Sequence, residues 1–168
     1  MLRIRVTCAL LVLPLLALPA AAEHARINLS VKAVDPETGM SGEEAQASAD
    51  KEPPSGGLYP RPLFKARVNQ PLVLEFFLTN TYPHGVLKDV TVRYFVVREE
   101  KAQQKTVPAL TRDVVTQGRF TLNFKPQARV GAHVAFTVQT PGLYLLRVQT
   151  ENTDSDHEHF SAIDLQVE

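Results

Sequence analysis

Residues 141–168 read PGLYLLRVQTENTDSDHEHFSAIDLQVE. Pro141-Gly142 is turn chemistry, and Leu143-Tyr144 opens an apolar run directly behind it. Tyr144, Leu146 and Val148 share one parity, while Arg147, Gln149 and Glu151 take the other. Period two over such a run predicts a strand with one buried face. A polar stretch, Asn152 to His159, separates it from a closing strand in which Ile163, Leu165 and Val167 are in phase. Phe160 has the opposite parity. Either a bulge near Ser161-Ala162 restores it to the core, or it packs on the other face. With a bulge His157 and His159 turn outward; without one they share the parity of Ile163.

The same alternation recurs upstream. Ile27, Leu29, Val31 and Ala33 are in phase within Arg26–Val34, and Leu72, Leu74, Phe76 and Leu78 within Pro71–Asn80. So are Val90, Val92, Tyr94 and Val96, then Phe120, Leu122 and Phe124 behind Gly118, then Val134, Phe136 and Val138. Leu63–Val68 is a short candidate, and Thr106–Val115 another that Pro108 interrupts. Turn residues such as Asn80-Thr-Tyr-Pro-His-Gly85 lie between them. No segment repeats at 3.6 residues. Short alternating strands at this spacing predict an all-β antiparallel sandwich of about seven or eight strands.

Residues 35–62 break the pattern. They hold five prolines, four glycines and six acidic residues. This composition predicts a long mobile loop, with one or two helical turns at most over Glu43–Asp50. Its end, Leu58-Tyr59-Pro60-Arg61-Pro62, is suited to docking back on the body.

The N-terminus carries Arg3 and Arg5, an apolar run from Val6 to Leu18, and Pro19-Ala20-Ala21-Ala22. This is the layout of a secretory signal peptide over residues 1–22, with cleavage before Glu23. The run is short for a membrane span, and Cys8 precedes most of it, which argues against a lipidation site. Residues 23–168 then form one domain with no cysteine, no tryptophan and no transmembrane segment. Without Arg3 and Arg5, a chain of 18 basic and 18 acidic residues has a slight acidic excess, which argues against nucleic acid as a partner. The predicted location is periplasmic or secreted.

Pro141-Gly142-Leu143-Tyr144 resembles the corner of immunoglobulin-like and fibronectin type III-like sandwiches, where a tyrosine near the start of strand F bonds back to the backbone. The resemblance extends loosely over Pro71–Glu168. It implies a bacterial-style immunoglobulin-like fold. Leu146 stands where an antibody domain has its second cysteine, so the fold it implies is free of disulfides.

Asp154-Ser-Asp156-His157-Glu158-His159 is the one dense group of metal-capable side chains. Two imidazoles two residues apart project to one side of a strand and suit copper, nickel or zinc. Asp154, Asp156, His133 or the mature N-terminus with His24 are candidate further ligands. His24 and the Asp-x-His segment are similar in kind to periplasmic copper-binding sandwiches of the copper-resistance type. The chain departs from these in length, in the position of His24 and in lacking a methionine cluster. His84 reads as a turn residue and His133 as half-exposed at a strand start.

The sequence holds no cysteine nucleophile in the mature chain, no Gly-x-Ser-x-Gly elbow, no phosphate-binding glycine loop and no His-Glu-x-x-His. The leading expectation is therefore a non-catalytic binding module, without a cofactor, for a protein or a cell-surface polymer. The outer faces of its strands, or residues 35–62, would make the contact. The alternative is a copper or nickel carrier using His157, His159, Asp156 and His24. A small hydrolase ranks behind both.

Overall fold

The computed structural model describes residues 25–49, 60–81, 83–151 and 159–168. The expected signal peptide and three of the proposed metal ligands, His24, Asp156 and His157, lie outside them.

Nine strands follow one another among the described residues: β1 (Ala25–Val34), β2 (Ser41–Ala49), β3 (Leu63–Ala66), β4 (Leu72–Asn80), β5 (Leu87–Glu99), β6 (Val114–Phe124), β7 (Arg129–Phe136), β8 (Gly142–Glu151) and β9 (His159–Val167). They form a four-stranded sheet, β2-β1-β4-β7, and a five-stranded sheet, β3-β9-β8-β5-β6. All pairs are antiparallel except β3 with β9.

The period-two pattern sets which face each strand buries. Ala25, Ile27, Leu29, Val31 and Ala33 of β1 meet Leu72, Leu74, Phe76 and Leu78 of β4 in one layer of the core. Val90, Val92 and Val96 of β5, Leu146 and Val148 of β8, and Ile163, Leu165 and Val167 of β9 form the other layer. Phe76 packs on Tyr94 and Phe120, with ring centroids 5.8 and 6.4 Å apart. Burial of these apolar faces is the main force holding the sheets together.

Tyr144 makes the corner. Its hydroxyl donates to the Thr140 carbonyl at 2.8 Å as the chain passes from β7 to β8, and burial pushes its ionisation above the ordinary range. With β8 as strand F, β4 and β7 fall on strands B and E, β5 and β6 on C and C′, and β9 on G. The protein is an immunoglobulin-like β-sandwich. The β1–β2 hairpin lies beside β4, where a first strand would be. Leu146, fully buried, fills the place of the missing cysteine.

Two segments depart from expectation. Residues 35–62 are not one loop, because Ser41–Ala49 is β2, paired along β1 from Ile27↔Ala49 to Val34↔Ser41. Ala45 and Ala47 turn toward the core while Glu44, Gln46 and Ser48 turn out. Small residues suffice for an edge strand that covers little core, so the segment lacks the large apolar groups that mark the other strands. No helical turn forms in its described part, and with β2 included the described strands number nine. The candidate strand at Thr106–Val115 is instead a connection that crosses the sheet, with β6 beginning at Val114 and running through Gly118. Of the two alternatives for Phe160, the second holds: β8 and β9 keep unbroken register from Gly142↔Val167 to Thr150↔His159, with no bulge. Phe160 packs on the outer face, with the Arg147 guanidinium 3.8 Å above its ring.

Candidate binding face

A sandwich has two outer faces, and here the chain covers one of them. On the outside of the five-stranded sheet, Phe95 and Val97 of β5, Leu145 of β8 and Ala162 of β9 form a second buried apolar cluster. Leu110 and Val114 close over it. The connection 100–113 thus lays Leu110 on this face, and the Arg98 amide ties it down by donating to the Asp113 carbonyl at 3.0 Å.

A buried ionic network seals the edge of that cover. Arg61 bonds through Nε to Asp164, through Nη2 to Glu99 at 3.1 Å, and through Nη1 to the Gln104 carbonyl at 2.8 Å. Both carboxylate side chains are 0 % exposed and that of Arg61 is 15 % exposed. Gln103, in a left-handed turn at φ 62°, adds bonds from its amide and its side chain to Asp164 Oδ2 at 2.8 and 2.9 Å. Its side chain also pairs with both backbone groups of Arg61. The Pro60–Pro62 end thus docks on the body as the sequence suggests, through Arg61. The pKa of Glu99 is raised to about 7: burial is the largest cause, the Arg61 charge pulls it back, and the Asp164 carboxylate adds to the rise. Two carboxylates facing one guanidinium retain a proton between them near neutrality. The network clamps residues 60–62 and 103–104 onto β5 and β9.

The outer face of the four-stranded sheet has no such cover among the described residues. Its cross-strand rows run Ser48–Asn28–Phe77–Gly131, Gln46–Ser30–Glu75–His133 and Glu44–Lys32–Val73–Ala135. The Ser48 hydroxyl donates to Asn28 Oδ1 at 2.9 Å. Lys32 Nζ sits 2.8 Å from Glu75 and 3.9 Å from Glu44, and the hydrogen bond to Glu75 raises its pKa. Phe77 lies flat over Gly131, where an added Cβ would be 2.5 Å from the ring, and the Arg129 guanidinium stacks 3.9 Å above it. Over β1, flanked by β2 and β4, lies a shallow, open groove of about 520 Å³. Amides, hydroxyls, a lysine held between two carboxylates and one aromatic ring suit a polar extended chain. They do not suit a phosphate, since the lysine is already neutralised by two carboxylates.

The proposed metal ligands divide. His24, Asp156 and His157 lie outside the described residues, and of His159 only the backbone is described, pairing with Thr150 at the start of β9. His133 is exposed on the open face opposite Glu75, and His84 is exposed in its turn. Among the described residues no group of three metal-capable side chains comes together. No helix among them is long and apolar enough to cross a membrane. Sequence reasoning missed the Arg61–Glu99–Asp164 clamp. The available signal was Asp164 itself, an acid between Ile163 and Leu165 in a strand with no turn beside it.

No family model and no curated protein matches the sequence. Among solved structures, the CARDB domain of the PF1109 protein from Pyrococcus furiosus, crystallised with di-metal ions, is similar at 10 % identity. The match covers 87 % of this chain and 90 % of that one, with a TM-score of 0.47. The PmoD soluble domain from Methylocystis sp. is similar at 12 % identity over 84 % and 90 %, with a TM-score of 0.44. The C-terminal domain of wzt is similar at 10 % identity over 83 % and 70 %, with a TM-score of 0.42. The immunoglobulin-like assignment rests on this chain's own strand order and on the Tyr144 corner.

Proposed function

We propose that the protein is an exported, non-catalytic binding module that holds a protein segment or a surface polymer across the outer face of its four-stranded sheet. One observation carries the reading: the asymmetry of the two faces. The chain buries the outside of the five-stranded sheet under its own connection and clamps it with buried charges, while among the described residues the face of Asn28, Gln46, Ser48, Glu75 and Phe77 stands open. Cross-strand rows of short polar side chains give an extended ligand a regular set of donors and acceptors beside one ring.

A photo-crosslinking residue placed at Gln46 tests this in the cells that make the protein, with the same residue at Val107 on the covering connection as control. Adducts from position 46 and none from 107 are expected. Equal labelling at both positions, or labelling at 107 alone, removes the open face from the proposal.

We propose as a second reading a copper or nickel carrier that uses the residues around His157 and His159. What favours it is the pair Thr150 and Ser161, whose hydroxyls are buried inside the sandwich with no hydrogen-bond partner beside the first residue of β9. Residue 25 enters β1 at that same pole, since Val34 and Glu168 end their strands together at the other, beside the turn between β3 and β4. One equivalent of Cu(II) or Ni(II) then raises the melting midpoint of the untagged protein. A shift that survives His157→Ala/His159→Ala, or no shift at all, ends this reading.

A further inference from the structure

Among the described residues the four-stranded sheet has two free edges of different character. On one side is β2, nine residues long, with Glu43 and Glu44 exposed and Asp35 and Glu37 in the turn before it. On the other is β7, eight residues long, which pairs only with β4 among the described residues. β7 itself holds no Asp or Glu; it carries Arg129 and His133, with Lys125 in the turn before it. One edge is acidic and the other basic.

Both edges also leave apolar positions unfinished. Ala45 and Ala47 of β2, and Val130, Ala132 and Val134 of β7, face the core but are only partly buried. An added strand on either side would cover them. The order β2-β1-β4-β7 alternates direction at every step, so β2 and β7 run opposite ways. A second molecule moved sideways without rotation therefore brings its β2 against the first molecule's β7 in antiparallel orientation. The five-stranded sheet has no such match, because its edges are β3, with four residues, and β6, with eleven.

We propose that β2 of one molecule pairs with β7 of a second copy, so that the four-stranded sheet continues from molecule to molecule. The register that keeps inner positions together sets Ala45 opposite Ala132 and Ala47 opposite Val130. The outer positions then place Glu44 opposite His133 and Ser48 opposite Arg129. Free backbone groups of both edges are satisfied, and the apolar inner positions of each complete the core of the other. The contact is heterologous and does not close on itself, so assembly is open-ended. It does not rest on the binding reading above.

Sedimentation velocity of the processed, untagged protein at rising concentration is the test. The average mass should climb without a plateau at the dimer. His133→Glu puts two carboxylates across the contact, and Glu44→Lys removes the carboxylate opposite His133; each should weaken association, the first about fivefold or more. A one-to-one mixture of the two variants should associate again, because each carries the complement of the other's altered edge. Melting curves close to wild type establish that both variants are folded. A mass fixed at the dimer would mean a two-fold contact and overturn the proposal. So would variants that associate like wild type, or a mixture that stays as weak as its components. A chain that remains monomeric throughout would assign these edges to some other strand and overturn it equally.

Discussion

Arg61 and Glu99, 38 residues apart in sequence, meet at 3.1 Å under the cover of the five-stranded sheet, and the Glu99 carboxylate has no solvent exposure. The pair fixes where residues 60–62 and 100–104 lie, and with Asp164 it forms the one buried charge cluster among the described residues.

Arg61→Ala removes the shared cation and leaves two carboxylates in one apolar site. Breaking a buried pair in this way costs about 3–5 kcal/mol. Urea unfolding should show a loss of that order, whereas Lys32→Ala on the open face should change stability by about 1 kcal/mol or less.

Glu99 gives stability a pH dependence of unusual sign. Its pKa is about 7 in the folded chain against an ordinary 4.5, so the native state binds the proton more tightly than the unfolded state does. The stabilisation is full below the unfolded value and is lost as pH rises through about 7. The loss from pH 5 to pH 8 should be about 2–3 kcal/mol from this group. Glu99→Gln, which keeps the shape and stays neutral, should flatten that slope in denaturant titrations across the range.

Tyr144→Phe tests the corner. The ring stays buried and only the bond to the Thr140 carbonyl is lost, for about 1 kcal/mol. The melting midpoint should fall by a few degrees while the near-ultraviolet spectrum remains that of a folded protein.

Gly118 and Gly131 each sit under an aromatic ring of the neighbouring strand, Tyr94 and Phe77. A methyl group at either would lie 2.4 or 2.5 Å from the ring. Tyr94 is boxed in by Phe76, so Gly118→Ala should cost about 1–3 kcal/mol. Phe77 faces solvent and can swing away, so Gly131→Ala should cost less. Paired melting curves that reverse this order would mean the core ring has room that its neighbours do not suggest.

The period-two strands were legible because each buries one face on a deep apolar layer. Leu72 to Leu78 and Tyr144 to Val148 declare themselves for that reason, and Tyr144 also declares the corner. β2 was not legible, since an edge strand of Ala45 and Ala47 beside glutamates has the composition of a loop and owes its form to β1. The clamp was hidden for a related reason. Arg61, Glu99 and Asp164 are each ordinary surface residues in their own neighbourhoods, and only the connection folded over the sheet makes them interior. The open face could be assigned only once the other was seen to be covered, because alternation shows that a strand has an outer side but not what lies over it.

The last strand of the chain, β9, sits between β8 and the short parallel β3 rather than at a margin. The five-stranded sheet therefore has a gap in it until residue 167 is available, and Arg61 has no Asp164 to hold. Without β9 the sheet falls into β3 on one side and β8-β5-β6 on the other, so these distant segments must come together before the core can close, and folding waits on that late pairing.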